Sequence, residues 1–163
     1  LLPNLEVLYV NYQTLTDKSL VSELQYLSEI NLRHTFVEDI SPLAGMPHLS
    51  SIILFDTHVA DMSALDDCAL LSTLDAGQTL LTSLDALPEQ APLESLSLAK
   101  LPLSSLNGIG RFAGLKYLSL CNTGLSDLSP LTDIPGLIEV DVDESMQAAA
   151  DALGDTSFEI KYK

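Results

Sequence analysis

Apolar residues return along this chain with a period of 22: Leu5, Leu27, Leu49, Leu71, Leu93, Leu115 and Leu137 follow one another without insertion or deletion. A strict period of that length means a stack of equivalent structural units, each able to bury its apolar face only against its neighbours. With each of those leucines counted as position 1, positions 4 and 6 are also apolar, as in Leu27, Ile30 and Leu32 or Leu93, Leu96 and Leu98. The spacing of two is strand alternation, so every unit is predicted to give one short strand to a parallel sheet. Positions 11 and 17 are aliphatic again, for example Val37 and Leu43 or Leu125 and Leu131, and return the chain to the interior.

The polar columns are as regular. Position 15 holds Ser19, Ser41, Ser63, Asp85, Asn107 and Ser129, side chains that can accept from the free amides opening a helical turn, and Pro42 and Pro130 follow two of them. Only about five residues then remain before the next unit, so the far side of each unit is predicted to be a short helical or 3-10 turn. Position 9 holds Thr35, Thr57, Thr79 and Thr123, with Leu101 as the clear exception among these repeats. A hydroxyl at the bend can satisfy backbone groups that have lost their sheet partners. One residue type recurring at one place in the unit points to scaffold rather than chemistry.

The segments LSEINLRHTFVEDISPLAGMPHL (Leu27 to Leu49) and LKYLSLCNTGLSDLSPLTDIPGL (Leu115 to Leu137), with their DISPL and DLSPL endings, resemble the 22-residue class of bacterial leucine-rich repeats typified by internalins. The resemblance spans Leu5 to Val142 and departs at Lys18, Gln90 and Leu101. It implies a curved solenoid whose concave strand face binds a partner protein, and it favours a secreted or cell-surface setting. The expected architecture is α/β: a right-handed leucine-rich-repeat solenoid with a parallel concave β-sheet and short 3-10 or helical turns on its convex side.

After Val142 the period breaks. Asp143, Glu144 and Ser145 open a predicted helix carrying Met146, Ala150 and Leu153, Gly154 stops it, and Phe158, Ile160 and Tyr162 alternate with charged residues as in an edge strand. Residues 1–142 are therefore expected to form six to seven repeats and residues 143–163 a helix-strand cap of the same domain, since a solenoid needs an atypical terminal unit. The chain opens in mid-repeat, which suggests a truncated start at which Leu2, Leu5 and Leu8 could drive end-to-end self-association.

Composition narrows the partners. Seven Lys and Arg against 23 Asp and Glu give a net charge of -16, which disfavours nucleic acid and anionic membranes. No apolar run approaches the ~20 residues of a membrane span. Cys68 and Cys121 fall at different repeat positions on distant units, too far apart for a disulfide, so both are expected to be free thiols.

With most positions assigned to scaffold, candidate function shrinks to positions 3, 5 and 7, projecting from the open sheet face, and position 8 at its rim. Tyr9, Tyr12, Arg33, His34, Ile53, Phe55 and Asp56 are the large or charged side chains there, of types enriched at protein interfaces, and are expected to contact a partner. An exposed Ile53 beside an exposed Phe55 is the least ordinary feature. Tyr12, His34 and Asp56 occupy one column, ~5 Å apart on neighbouring strands, but lack a nucleophile and a closed cavity. Asp17, Asp39, Asp61 and Asp127 align at position 13 without a calcium-loop motif and can serve their local turns instead. His34, His48 and His58 form no ligand set, so neither a metal nor a cofactor is expected. The expected function is therefore that of a non-catalytic protein-recognition module. The alternatives are a targeting or substrate-recognition arm of a larger enzyme, or a cell-surface glycan-binding module.

Overall fold

The computed structural model describes residues 4–10 and 24–163. Tyr12 and the other positions discussed between residues 11 and 23, including Asp17, Lys18 and Ser19, lie outside the described residues, as does Leu2. Eight strands, β1 (Val7–Tyr9), β2 (Glu29–Asn31), β3 (Ser51–Ile53), β4 (Thr73–Asp75), β5 (Ser95–Ser97), β6 (Tyr117–Ser119), β7 (Glu139–Val142) and β8 (Glu159–Tyr162), form one parallel sheet in chain order. The register repeats the sequence period. Leu8 pairs with Ile30, then Ile52, Leu74, Leu96, Leu118 and Val140, each 22 residues on; the last step, Val140 to Ile160, is 20.

This register stacks position 1 on position 1 through the core, so Leu27, Leu49, Leu71, Leu93, Leu115 and Leu137 are all buried. Burying one such side chain contributes about 1.5–3 kcal/mol, and repetition of the same contact makes the stack cooperative. Leu5, Leu8 and Val10, beside a strand with one neighbour, are only partly buried. Between strands the chain makes 3-10 turns at Ser41–Leu43, Ser63–Leu65, Leu84–Ala86, Ile109–Arg111 and Ser129–Asp133.

The threonine column behaves as its chemistry requires. The hydroxyls of Thr35, Thr57, Thr79 and Thr123 donate to the carbonyls of Leu32, Leu54, Ala76 and Leu120, three residues back in each case. Leu101 has no hydroxyl; its backbone N–H instead donates to the Leu98 carbonyl at 3.3 Å, and its side chain is buried.

The capping column differs from the sequence expectation. Ser41, Ser63 and Ser129 do not cap their turns; they are the first residues within them, and their amides donate to Asp39, Asp61 and Asp127, two positions earlier. In two other repeats Ser83 and Ser105 take the aspartate's part, their hydroxyls accepting from the amides of Asp85 and Asn107. Position 13 rather than position 15 supplies the acceptor, because the turns at Ser41, Ser63 and Ser129 are entered one residue earlier than the serine column suggests. This explains the aligned aspartates among the described residues: Asp39, Asp61 and Asp127 each serve their own turn. Gln90, expected in an interior column, is exposed, and Ala91 takes the buried place.

After β7 a 3-10 turn, Glu144–Met146, leads into the α-helix Gln147–Asp151, with Asp143 accepting from the Ser145 amide at the start. Gly154 follows at φ +66°, where a side chain would be strained. Ala149, Ala150 and Phe158 join the same core as the repeats. Cys68 is buried and Cys121 half-buried, both as free thiols.

Candidate functional site

Because the strands are in register, position 5 runs across the open sheet face as Tyr9, Asn31, Ile53, Asp75, Ser97, Ser119, Asp141 and Lys161. Beyond each strand the ladder continues to position 8: the amides of His34, Asp56, Gln78 and Lys100 donate to the carbonyls of Phe55, Gly77, Ala99 and Cys121 on the next unit. Position 8 then takes a left-handed backbone, with φ of 58°, 59°, 51°, 60° and 60° at His34, Asp56, Gln78, Lys100 and Asn122. That conformation costs a non-glycine residue about 1–2 kcal/mol. It recurs in all five repeats that begin at Leu27, Leu49, Leu71, Leu93 and Leu115, so it is the scaffold's way of turning the chain inward, and it fans the position-8 side chains along the rim.

On this frame five side chains assemble around the Phe55 ring. The Arg33 guanidinium carbon lies 4.4 Å and the Lys100 ammonium 5.4 Å from the centre of the Phe55 ring. The His34 imidazole meets the same ring edge-on at 5.9 Å. A hydrogen-bonded row runs beside it: Arg33 Nε donates to His34 Nε2 at 3.1 Å, His34 Nδ1 lies 2.7 Å from Asp56 Oδ2, and Gln78 Nε2 donates to Asp56 Oδ1 at 2.7 Å. With Nε2 accepting from arginine, Nδ1 is the nitrogen that donates to Asp56. The hydrogen bond from His34, followed by that from Gln78, holds the Asp56 carboxyl below the usual carboxylate range despite the opposing effect of desolvation.

Of the residues expected to contact a partner, the structure brings together Arg33, His34, Phe55 and Asp56, with Ile53 two residues before Phe55 on β3. Tyr9 stands apart on β1, highly exposed, with its hydroxyl 3.5 Å from the Glu29 carboxylate. The expected exposure of Ile53 and Phe55 is corrected: both are half-buried, Phe55 because the ring is flanked by Arg33, His34 and Lys100. It also lies over Gly77, where a β-carbon would come within 2.9 Å of Phe55 Cδ2 and of the Ala99 carbonyl oxygen. Gly77, Gln78 and Lys100 are the members that sequence reasoning missed. Their signal was the continuation of columns 7 and 8 beyond the third repeat.

Among the described residues no group of three or more His, Cys, Asp or Glu side chains is placed to hold a metal ion, and no helix is long and apolar enough to cross a membrane. The sequence matches no protein-family model and no curated protein. Solved structures do match in fold. An internalin (inlF) from Listeria monocytogenes superposes with a TM-score of 0.73 at 21% identity, over 90% of this chain and 46% of that one. Internalin C2 (inlC2) from the same organism gives 0.64 at 16% identity, over 97% of this chain and 80% of that one. The functional domain of InlJ, also from Listeria monocytogenes, gives 0.64 at 18%, over 90% and 31%. This chain therefore spans less than half of the first of these and about a third of the last. What it shares with them is the leucine-rich-repeat fold, a single open parallel sheet joined by short 3-10 turns.

Proposed function

We propose that this chain is a non-catalytic protein-recognition module that engages its partner with the open, concave face of the sheet and the adjoining position-8 rim. The observation that carries this reading is the assembled cluster of Arg33, His34, Phe55, Asp56, Gln78 and Lys100. It combines an aromatic residue, an arginine and a fixed polar row, the chemistry of an interface hot spot, on a surface whose backbone is locked by sheet hydrogen bonds. His34 and Asp56 are the catalytic-looking pair, but the His34 nitrogens are engaged by Arg33 and Asp56, and the pair sits on an open rim that does not exclude water. The likeness to internalins supports a secreted or cell-surface location.

The test replaces Ile53 and Phe55 together by Asp and compares capture of binding proteins by the two chains after crosslinking. Loss of capture with an unchanged unfolding midpoint supports the assignment; unchanged capture sinks it. A second reading, glycan binding, is favoured by a shallow depression of about 130 Å³ between β5, β6 and β7, where Tyr117 stands beside Ser97, Ser119, Glu139 and Asp141. An aromatic face beside hydroxyls and carboxylates suits a sugar. An oligosaccharide panel read by tryptophan-independent calorimetry distinguishes it, with Tyr117→Ala as the control.

A further inference from the structure

Resting on that reading, we infer that Arg33 and Lys100, set against the Phe55 ring, form an acceptor for a protein segment in which an acidic side chain stands next to an apolar one. The chain has 23 acidic and seven basic side chains, so a cation placed at random would find a carboxylate. Lys116, Lys161 and Lys163 do, pairing with Glu94, Glu139 and Asp141. Arg33 and Lys100 make no contact ion pair among the described residues, although Lys100 acts on Asp56 through space, and both rest on the same aromatic ring. Arg111 is also without a carboxylate, but its guanidinium is engaged by the Leu84 carbonyl on the turn side of the repeat.

The carboxylates of Asp56 and Asp75, on the same surface, already have partners. Both Asp56 oxygens are bound, by His34 and Gln78, and Asp75 Oδ1 accepts from the Gly77 amide at 3.0 Å. Arg33 uses Nε on His34, which fixes the guanidinium and leaves its two terminal nitrogens and the Lys100 ammonium without a hydrogen bond among the described residues. Two terminal N–H groups on one arginine match a carboxylate bidentately, and a fixed guanidinium loses little freedom on binding it. The phenyl ring and Ile53 beside it supply the apolar contact. Repulsion from the other acids is screened beyond ~8 Å at physiological salt, whereas a contact ion pair lies well inside that length. Two cations on one ring do not make the basic stripe that a nucleic-acid backbone requires.

The probe is a dye-labelled decapeptide alternating Asp and Leu, titrated into the full chain by fluorescence anisotropy beside a twin with Asn for every Asp. The Asp peptide should bind about tenfold or more tightly than its twin, the scale of a charge-assisted hydrogen-bonded pair. The preference should vanish in the Arg33→Gln/Lys100→Gln chain, whose thermal unfolding is monitored to confirm that it folds. Equal binding of both peptides, or none by either, overturns the acidic preference. Equal binding that is still lost in the Phe55→Ala chain overturns the preference alone and leaves the recognition surface standing. Displacement of the Asp peptide by inorganic phosphate as readily as by acetylated Asp-Leu dipeptide also overturns it, by showing a general anion site.

Discussion

The surface over β2 to β5 and the surface over β5 to β8 are built on one scaffold and carry opposite chemistry. Across the first, Arg33 and Lys100 lean on an aromatic ring and His34, Asp56 and Gln78 form a closed polar row. Across the second, small hydroxyls at Ser97 and Ser119 lead to a ladder of opposite charges in which Lys161 joins Glu139 and Lys163 lies 3.4 Å from Asp141. The second surface pairs its lysines with carboxylates, while among the described residues the first leaves Arg33 and Lys100 without a contact ion pair. Beneath both, the threonine bonds, the aspartate-capped turns and the stacked leucines repeat. The core columns have no freedom to specialise, because each must match the unit above and below; positions 5, 7 and 8 answer only to solvent or to a partner.

The largest expected effect tests whether the scaffold is truly common to both. Leu74→Ala under the first surface and Leu118→Ala under the second, both buried, should each cost about 2–5 kcal/mol in urea denaturation. A marked inequality would break the equivalence. Next comes Gly77, the position that separates the regions by a single β-carbon. Gly77→Ala drives a methyl against Phe55 and the Ala99 carbonyl and should cost about 1–3 kcal/mol, with displaced Phe55 ring resonances in NMR spectra. Unshifted resonances would remove the ring from its proposed seat.

A smaller difference is expected between the hydroxyls. Thr57 is buried and Thr123 half-buried, so Thr57→Val should lose about 1–2 kcal/mol and Thr123→Val less, since water can reach the orphaned Leu120 carbonyl. Equal losses in calorimetric melts would show that burial does not set the cost.

The smallest effect is the pH dependence. Asp56 is held below its unfolded value, chiefly by His34, so its contribution is fully present above the ordinary aspartate range near ~4 and fades as pH falls through its lower folded value. Asp61 and Asp127 are lowered by the bonds of their own turns, and Asp143 by Ser145 and then by the Asn122 amide of the preceding repeat; all three share the direction. Wild type and Asp56→Asn should therefore differ in unfolding midpoint at pH 6 and converge towards pH 2, in a series read by circular dichroism. A gap that persists at the acid end would locate the Asp56 effect outside its ionisation.

The role of Thr35 or Thr57 was legible because a hydroxyl recurring at one position has one local use, a carbonyl three residues back. The turn caps were half legible: serine and aspartate both recur, and only the backbone path shows that the aspartate accepts and the serine amide donates. The recognition cluster was legible at Arg33, His34, Phe55 and Asp56, whose side chains are large, and illegible at Gly77 and Lys100. A glycine is silent until a ring is found lying over it, and Lys100 meets Phe55 across two strands.

The sequence by itself determined the period, the parallel register and the buried columns, because a repeat can bury its leucines only by stacking each on its counterpart. Tertiary structure alone decided which exposed side chains meet. Their encounter depends on rotamers and on the space left by Gly77, and nothing in a 22-residue pattern constrains either.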